Sequence, residues 1–326
     1  MVGMRRVVGL LLGIVLAVAG CGGSSRSDRP ATGPATPAAG QPSTAPSAAP
    51  TSSSPSASAS SGAAGGGTAQ AAAAPRVPRF KHVVVVVEEN HAKGEIIGNR
   101  AAPFMNALAR TGAQFTRSYA ITHPSYPNYL ALFSGSTHGV HDDSCPHYYR
   151  GNDLGAQLRA KGYSFVGYAQ GLPRVGYRGC TAGAYARRHV PWVDFENLPR
   201  TVSRPMTDFP RDFTRLPRLA FVIPDVDHDM HDGTVAQADR WLKAQLGRYV
   251  SWARTHDSLL VLTWDEDDRS AGNHILTVFN GASVKAGRYA TRVDHYRVLR
   301  TLEASFGLAP IGHAADRTPI TGVWSS

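Results

Sequence analysis

The sequence predicts an α/β layered fold with a largely parallel sheet. Residues 83–87 are five consecutive valines, the make-up of a strand buried on both faces. Strand-like and helix-like segments then alternate along the chain, the pattern that places helices over a parallel sheet. Three of the apolar strands run directly into clustered carboxylates, which puts polar residues where ligands bind in such sheets, beyond the carboxyl ends of the strands.

In chain order, 83–87 is the first strand. Residues 103–110 carry Phe104, Ala107 and Leu108 at helical spacing, and 115–120 returns as a strand. A Pro-started apolar helix opens at Ser125. Residues 154–160 form a helix stopped at Gly162, followed by a strand over 163–168 and a buried strand over 219–223. A long helix over 236–255 places Trp241, Leu242, Leu246 and Tyr249 on one face. Strands over 259–263 and 275–279 and a helix over 295–306, closed by Gly307, complete the pattern.

The first 21 residues stand apart from this fold. Arg5 and Arg6 precede an apolar run, and small residues lead to Cys21, the layout of a secretory signal. The segment resembles a bacterial lipoprotein signal, which implies lipidation at Cys21 and an exported chain. The alternative is an uncleaved anchor, but the apolar run is shorter than the roughly 20 residues a spanning helix needs. Residues 22–76 are rich in Ser, Ala, Pro and Gly and cannot bury enough surface to offset the entropy of ordering, so they read as a disordered tether. Residues 77–326, about 250 in number, suffice for one catalytic domain with a sizeable core. Five arginines and one aspartate lie before Val77, leaving +6 of the chain's +10 on that domain. This excess favours anionic substrates or surfaces; without a basic helix or aromatic-basic repeat, no nucleic acid partner is expected. In an exported domain, Cys145 and Cys180 are most simply a disulfide.

The acidic segments are Glu88 and Glu89 with Asn90 after the first strand, Asp225 to Asp232 after the strand at 219–223, and Asp265 to Asp268 after the strand at 259–263. Carboxylates delivered to one edge repel one another unless a proton or cation sits among them, and a hard divalent metal suits oxygen donors. Ser125 faces the positive end of its helix, where unpaired backbone amides favour an anion; its plainer role is an N-cap. Asn128, on the same helical face, is placed to donate to a phosphate oxygen. His231, with His123 as a second candidate, is placed to supply a proton to a leaving alkoxide, since imidazole titrates near neutral pH. His228, His274 and His295 are candidates for supporting positions. Arg188 and His189, in a turn rich in basic and aromatic residues, are candidates for contacting a second phosphate or a headgroup, the alternative being a solvated basic turn.

Ser125 followed by Tyr126, Pro127 and Asn128 resembles the nucleophile segment of the alkaline-phosphatase-like superfamily. Taken with Glu88-Glu89-Asn90, Asp229-Met230-His231-Asp232, Thr263-Trp264-Asp265-Glu266 and Asp294-His295-Tyr296, it makes nearly all of 81–308 similar to the bacterial phosphoesterase family of secreted acid phosphatases, phosphatidylinositol-phosphate phosphatases and phospholipases C. That resemblance implies a three-layer α/β/α, alkaline-phosphatase-like fold. It further implies Ser125 as covalent nucleophile and metal ligand, and Glu89, Asn90, Asp265 and Glu266 as further ligands of a divalent metal; oxygen-rich donors favour magnesium, calcium or manganese, and the histidines admit zinc. The implied activity is phosphate monoester hydrolysis through a phosphoserine, phosphoinositides included, outside the cytoplasm at the cell membrane or released from it. The substrate is a small-molecule or lipid-headgroup phosphate ester, with membrane attachment through the N-terminal lipid. Two other readings stand beside it: a phospholipase C-like phosphodiesterase, and a binding lipoprotein with a degenerate site.

Overall fold

The computed structural model describes residues 76–325. The expected signal at 1–21 with Cys21 and, apart from Arg76, the tether at 22–76 lie outside the described residues.

The valine run becomes β1 (His82–Glu88), with Val83 to Val87 all essentially inaccessible. After a single helical turn, α1 (Lys93–Ile96), come α2 (Pro103–Thr111) and β2 (Ala113–Tyr119). Next are α3 (Ser125–Ser134), α4 (Leu154–Ala160) and β3 (Phe165–Ala169). A long excursion follows, made of a two-residue hairpin, β4 (Thr181–Ala182) and β5 (Tyr185–Ala186), several 3-10 turns and β6 (Ser203–Pro205). The chain continues through β7 (Leu219–Ile223), α5 (Val235–Ala253), β8 (Ser258–Trp264), β9 (Thr277–Gly281), β10 (Gly287–Asp294) and α6 (His295–Phe306).

Eight strands form one sheet in the order β10-β2-β9-β8-β1-β7-β3-β6. β1 lies between β7 and β8, parallel to both, and β9 alone runs antiparallel to its neighbours β2 and β8. Side chains alternate between the two faces, so Val83, Val85 and Val87 join the core under α3, α4 and α6, while Val84 and Val86 join the core under α2 and α5. Helices on both faces of a mostly parallel sheet make the three-layer α/β/α architecture.

Two differences from the sequence reading have physical causes. β10 and β6 escape detection because they are the edge strands: β10 alternates half-buried with exposed residues and carries Arg288 and Arg292, so it lacks the apolar run of an interior strand. The strand expected at 275–279 starts at Thr277, because Ile275 and Leu276 are a buried lead-in, with the Ile275 amide donating to the Ser118 carbonyl.

Local chemistry fixes the helices that carry the site. α3 begins at Ser125 with Pro127 in its first turn, where backbone amides have no helical partner. It ends at Gly135 in the left-handed region with φ 71°, where a side chain would also meet the Ile311 carbonyl. α5 opens with a capping box between Thr234 and Gln237, and its buried Asp239 accepts the Phe104 and Met105 amides at the start of α2. Cys145, in the segment between α3 and α4, and Cys180, in the excursion, are joined as a disulfide.

Candidate active site

The carboxyl ends of β1, β7 and β8 meet at the N-terminus of α3. Their loops are stitched together by main-chain bonds: the Glu89 amide donates to the Asp229 carbonyl at 2.8 Å, and the Asp265 amide to the Glu88 carbonyl at 3.0 Å. Between Asp229 and His231, Met230 has φ 83°, a costly conformation for a side chain of this size, and the His231 amide donates back to Asp229 Oδ1 at 2.8 Å.

Ser125 does not serve as an N-cap. The first helical residue of α3, it donates from Oγ to Glu89 Oε2 at 3.0 Å and lies 3.4 Å from Glu266 Oε1. Asn90 donates through Nδ2 to Glu266 Oε1 at 2.7 Å, and its amide approaches Asp265 Oδ1 at 3.4 Å. His123 Nδ1 is 2.6 Å from Glu266 Oε2 and its Nε2 is 3.3 Å from Asp267. The other Glu89 oxygen, Oε1, accepts from the Tyr129 hydroxyl and lies 3.3 Å from His189 Nε2. His189 Nδ1 in turn lies 3.2 Å from Asp229 Oδ2. Glu89, His189 and Asp229 thus present ligand atoms within 4.8 Å of one another, a group able to hold a metal ion.

These side chains are almost wholly withdrawn from water, with Glu89, Asp229, Asp265, Glu266 and His189 at 0–3% exposure. Burial, reinforced by Asp265 and Asp229, pushes the Glu89 carboxyl well above its ordinary range. Burial followed by the charge of Glu266 does the same to Asp265. Burial lifts Asp229 to about 8 and Glu266 to about 7, and drives His189 well below the usual imidazole value. Asn90 Oδ1, Asp229 Oδ2, Asp265 Oδ2 and His189 Nε2 are buried without a hydrogen-bond partner. Acceptors left unpartnered in a dry, acid-rich cluster suit a divalent cation, which satisfies lone pairs and offsets charge at once.

The structure brings Ser125, Glu89, Asn90, Asp265, Glu266 and His123 into this cluster, and it revises two residues. Asn128 is fully buried, with both amide hydrogens committed to the Thr122 and Pro124 carbonyls and Oδ1 accepting from the Ile121 and Thr122 amides. It therefore clamps the loop that presents Ser125 and has no hydrogen left for a phosphate oxygen. His189 is no headgroup contact on a solvated turn: it is buried between Glu89 and Asp229 and belongs with the acids. Arg188 stays at the rim, where Nη2 lies 3.2 Å from Nε2 of the one-third-exposed His231. Of the other histidines, His295 holds the Asp265 carbonyl at 2.6 Å, His274 the Thr116 carbonyl and His228 Asp225. Asp229, quoted in a sequence motif but given no role, and Tyr129, not singled out, complete the cluster. Asp229 lies in the acidic loop that follows the buried strand β7, and Tyr129 lies one helical turn beyond Ser125.

An acid cluster with a serine at a helix N-terminus, set at the carboxyl edge of an α/β/α sheet, is an arrangement suited to the hydrolysis of phosphoric esters. Residues 99–309 match the model of the Phosphoesterase family, and the chain belongs to that family. It is 51% identical over 257 residues to the phosphatidylinositol-3-phosphatase of Mycobacterium tuberculosis, covering 77% of this chain and 85% of the relative. It is 29% identical to a probable acid phosphatase of Kluyveromyces lactis, over 73% of this chain and 61% of the relative, and 29% identical to an acid phosphatase of Aspergillus fumigatus, over 64% and 51%. Among solved structures, a protein in the alkaline phosphatase superfamily from Vibrio parahaemolyticus aligns with TM-score 0.51 and 15% identity, over 76% of this chain and 72% of that one. The phosphonate monoester hydrolase of Agrobacterium radiobacter aligns with TM-score 0.51 and 13% identity, over 73% and 78%. These two likenesses are likenesses of fold.

Proposed function

We propose that the protein is an exported, metal-dependent phosphatase that hydrolyses phosphate monoesters through a phosphoserine at Ser125, with phosphoinositide headgroups among its substrates. The observation that carries the reading is Ser125 Oγ, held 3.0 Å from Glu89 and 3.4 Å from Glu266 beside buried acceptors that lack partners. Glu89, Asn90, Asp265, Glu266 and Ser125, with His189 and Asp229 adjoining, are the residues that would hold the cation. When bound, a divalent cation supplies charge neutralisation and Lewis-acid stabilisation of the phosphoryl oxygens.

In the first half-reaction Ser125 Oγ bonds to phosphorus, its proton passes to the neighbouring Glu266 carboxylate, and the ester P–O bond breaks. His231, at the rim and partnered by Asp232 at 2.7 Å, returns a proton to the departing alkoxide. Water then attacks phosphorus and gives a proton to the now neutral His231, the bond between phosphorus and Ser125 Oγ breaks with release of phosphate, and Oγ takes its proton back from Glu266. Asn128 and Tyr129 act through position, the first fixing the loop before Ser125 and the second fixing Glu89. The phosphoinositide part of the reading rests on the name of the mycobacterial relative, and Arg188 at the rim is suited to a headgroup phosphate. Export and lipid attachment at Cys21 rest on the N-terminal sequence, and the Cys145–Cys180 bridge suits an oxidising compartment.

The test is turnover by purified residues 77–326 of a chromogenic phosphate monoester, the matching diester and phosphatidylinositol 3-phosphate, each with and without a chelator. Chelator-sensitive monoester turnover is expected. Preferential diester turnover favours the phosphodiesterase reading, and no turnover of any of the three favours a binding lipoprotein. Release of a Cys21→Ala protein from the membrane fraction checks the anchor.

A further inference from the structure

The nucleophile helix takes its cap from another part of the chain. The residue in the capping position of α3 is Pro124, whose side chain offers no acceptor, and Ser125 turns its hydroxyl to Glu89 and Glu266. The acceptor comes from Asp143, in the segment between α3 and α4, whose Oδ1 takes the Tyr126 amide at 2.9 Å. An amide in the first turn of a helix has no helical carbonyl to bond, and a carboxylate placed there also meets the positive end of the dipole.

The fold holds Asp143 in that position. Its neighbour Asp142 is spent on a local turn, accepting from the amide and the hydroxyl of Ser144. Two residues beyond Asp143, Cys145 is bridged to Cys180, and the buried Arg187 ties the two arms of that bridge by donating to the His147 carbonyl at 2.9 Å and to the Arg178 carbonyl. The His147 ring lies 5.1 Å from the Tyr126 ring, and the Tyr126 hydroxyl donates to Asp194 at 2.8 Å. Tyr126, next to Ser125 in the chain, is thus fixed at its amide by Asp143 and at its hydroxyl by Asp194. The other oxygen of Asp143, Oδ2, lies 3.9 Å from Arg188 Nε. Both side chains are partly in solvent, so that ion pair contributes little, whereas the bond to Tyr126 satisfies a donor that α3 leaves open.

We infer that Asp143 is a positioning residue of the reaction: by capping α3 it fixes the backbone at Ser125 and Tyr126 and leaves the Ser125 hydroxyl free to attack phosphorus. Had Ser125 capped its own helix, Oγ would be occupied in accepting an amide. The role rests on the phosphoserine reaction proposed above.

Two measurements test it: steady-state kinetics with a chromogenic phosphate monoester, and the rate at which acid-quenched protein gains a phosphoryl mass on the peptide containing Ser125. Asp143→Ala should lower kcat and kcat/KM alike by about tenfold, because Ser125 Oγ is the nucleophile of one half-reaction and the leaving group of the other, and a small displacement acts on the chemical steps. Phosphoserine should form more slowly by the same factor. Asp143→Asn keeps an acceptor oxygen for the Tyr126 amide and gives up only the charge, so it should recover to within about threefold of the parent. Thermal melts establish that each variant is folded at the assay temperature. An Asp143→Ala protein with the parent's kcat, a loss confined to KM, or an Asp143→Asn protein slowed tenfold or more overturns the role; the last of these decides it even where the Ala protein does not fold. Monoester turnover by the parent without phosphoserine on Ser125 overturns the proposed reaction instead, and the role of Asp143 with it.

Discussion

Tyr129 and His189 stack face to face, with ring centroids 5.2 Å apart and planes 9° from parallel. The same tyrosine donates its hydroxyl to Glu89, so one side chain of α3 orients an imidazole and a carboxylate of the cluster together. Supporting groups of this kind typically matter 10- to 100-fold in metal affinity or rate. Tyr129→Phe keeps the stack and removes only the hydrogen bond. Turnover should fall about tenfold with the melting temperature little changed; a Phe variant as active as the parent removes Tyr129 from the positioning of Glu89.

Ser125→Ala should reduce turnover by at least about a thousandfold, because it removes the oxygen that accepts the phosphoryl group. Stability should hold, since Ser125 makes no capping bond that the variant would lose. Acid-quenched parent protein should carry a phosphoryl mass at the peptide containing Ser125 and the variant should not. Substantial turnover in a folded Ser125→Ala protein would exclude the phosphoserine route.

Glu89→Gln and Asp265→Asn have opposite expected effects on metal content and on stability of the metal-free protein. Both carboxyls are held above their ordinary range chiefly by burial, so ionising them near neutrality without a cation costs folding energy. The amides carry no charge. After chelation, each variant should melt higher than the chelated parent at pH 7.5, while metal content and turnover fall. If the variants keep full metal, or if the chelated variants melt lower, these two carboxylates are not ligands held in place by a cation.

The interior of this fold can be read in the sequence and its margins cannot, for physical reasons. The valine run and residues 219–223 and 259–263 are buried on both faces, so their composition alone marks them as central strands. The helix at 295–306 has both its limits written locally, in the Asp294 cap and in Gly307 with φ 64°. Edge strands bury too little to leave such a mark. The acids Glu89 and Asp265 announce themselves by following apolar strands. His189 does not, because its burial comes from stacking on Tyr129, sixty positions earlier, while its sequence neighbours Arg187 and Arg188 suggest solvent. Arg187 is itself buried, bonded to Asp194 through two nitrogens at 2.6 and 2.8 Å, and no local pattern foretells that pairing.

The bridge between Cys145 and Cys180 closes a segment of 35 residues that includes α4 and β3. Closing a loop of that length restricts the unfolded chain by roughly 3 to 4 kcal/mol in the loop-entropy account. A Cys145→Ser, Cys180→Ser protein should therefore melt well below the parent, and reduction of the parent should reproduce the loss. An unchanged melting temperature on reduction would mean that the excursion is held by the Arg187–Asp194 pair and its neighbours alone.

Glu303 gives stability a pH dependence far from the acid cluster's chemistry. It is fully buried in α6, accepts the Ile311 amide at 2.8 Å through Oε1, and lies 3.7 Å from Arg300 through an Oε2 that has no hydrogen bond. Burial raises its carboxyl to about 7, against an ordinary value of 4.5. Between those values the folded protein keeps a proton that the unfolded chain has released, so unfolding frees a proton and stability falls as pH rises. The contribution is fully present below about 4.5 and is lost by pH 7 and above. The loss should be about 3 kcal/mol, the difference between the folded and unfolded carboxyl converted at about 1.4 kcal/mol per pH unit. Glu303→Gln retains the acceptor for Ile311 and removes the titration. Its melting temperature relative to the parent should therefore rise between pH 5 and pH 7.5; a difference independent of pH would show that Glu303 is ionised throughout and held by Arg300.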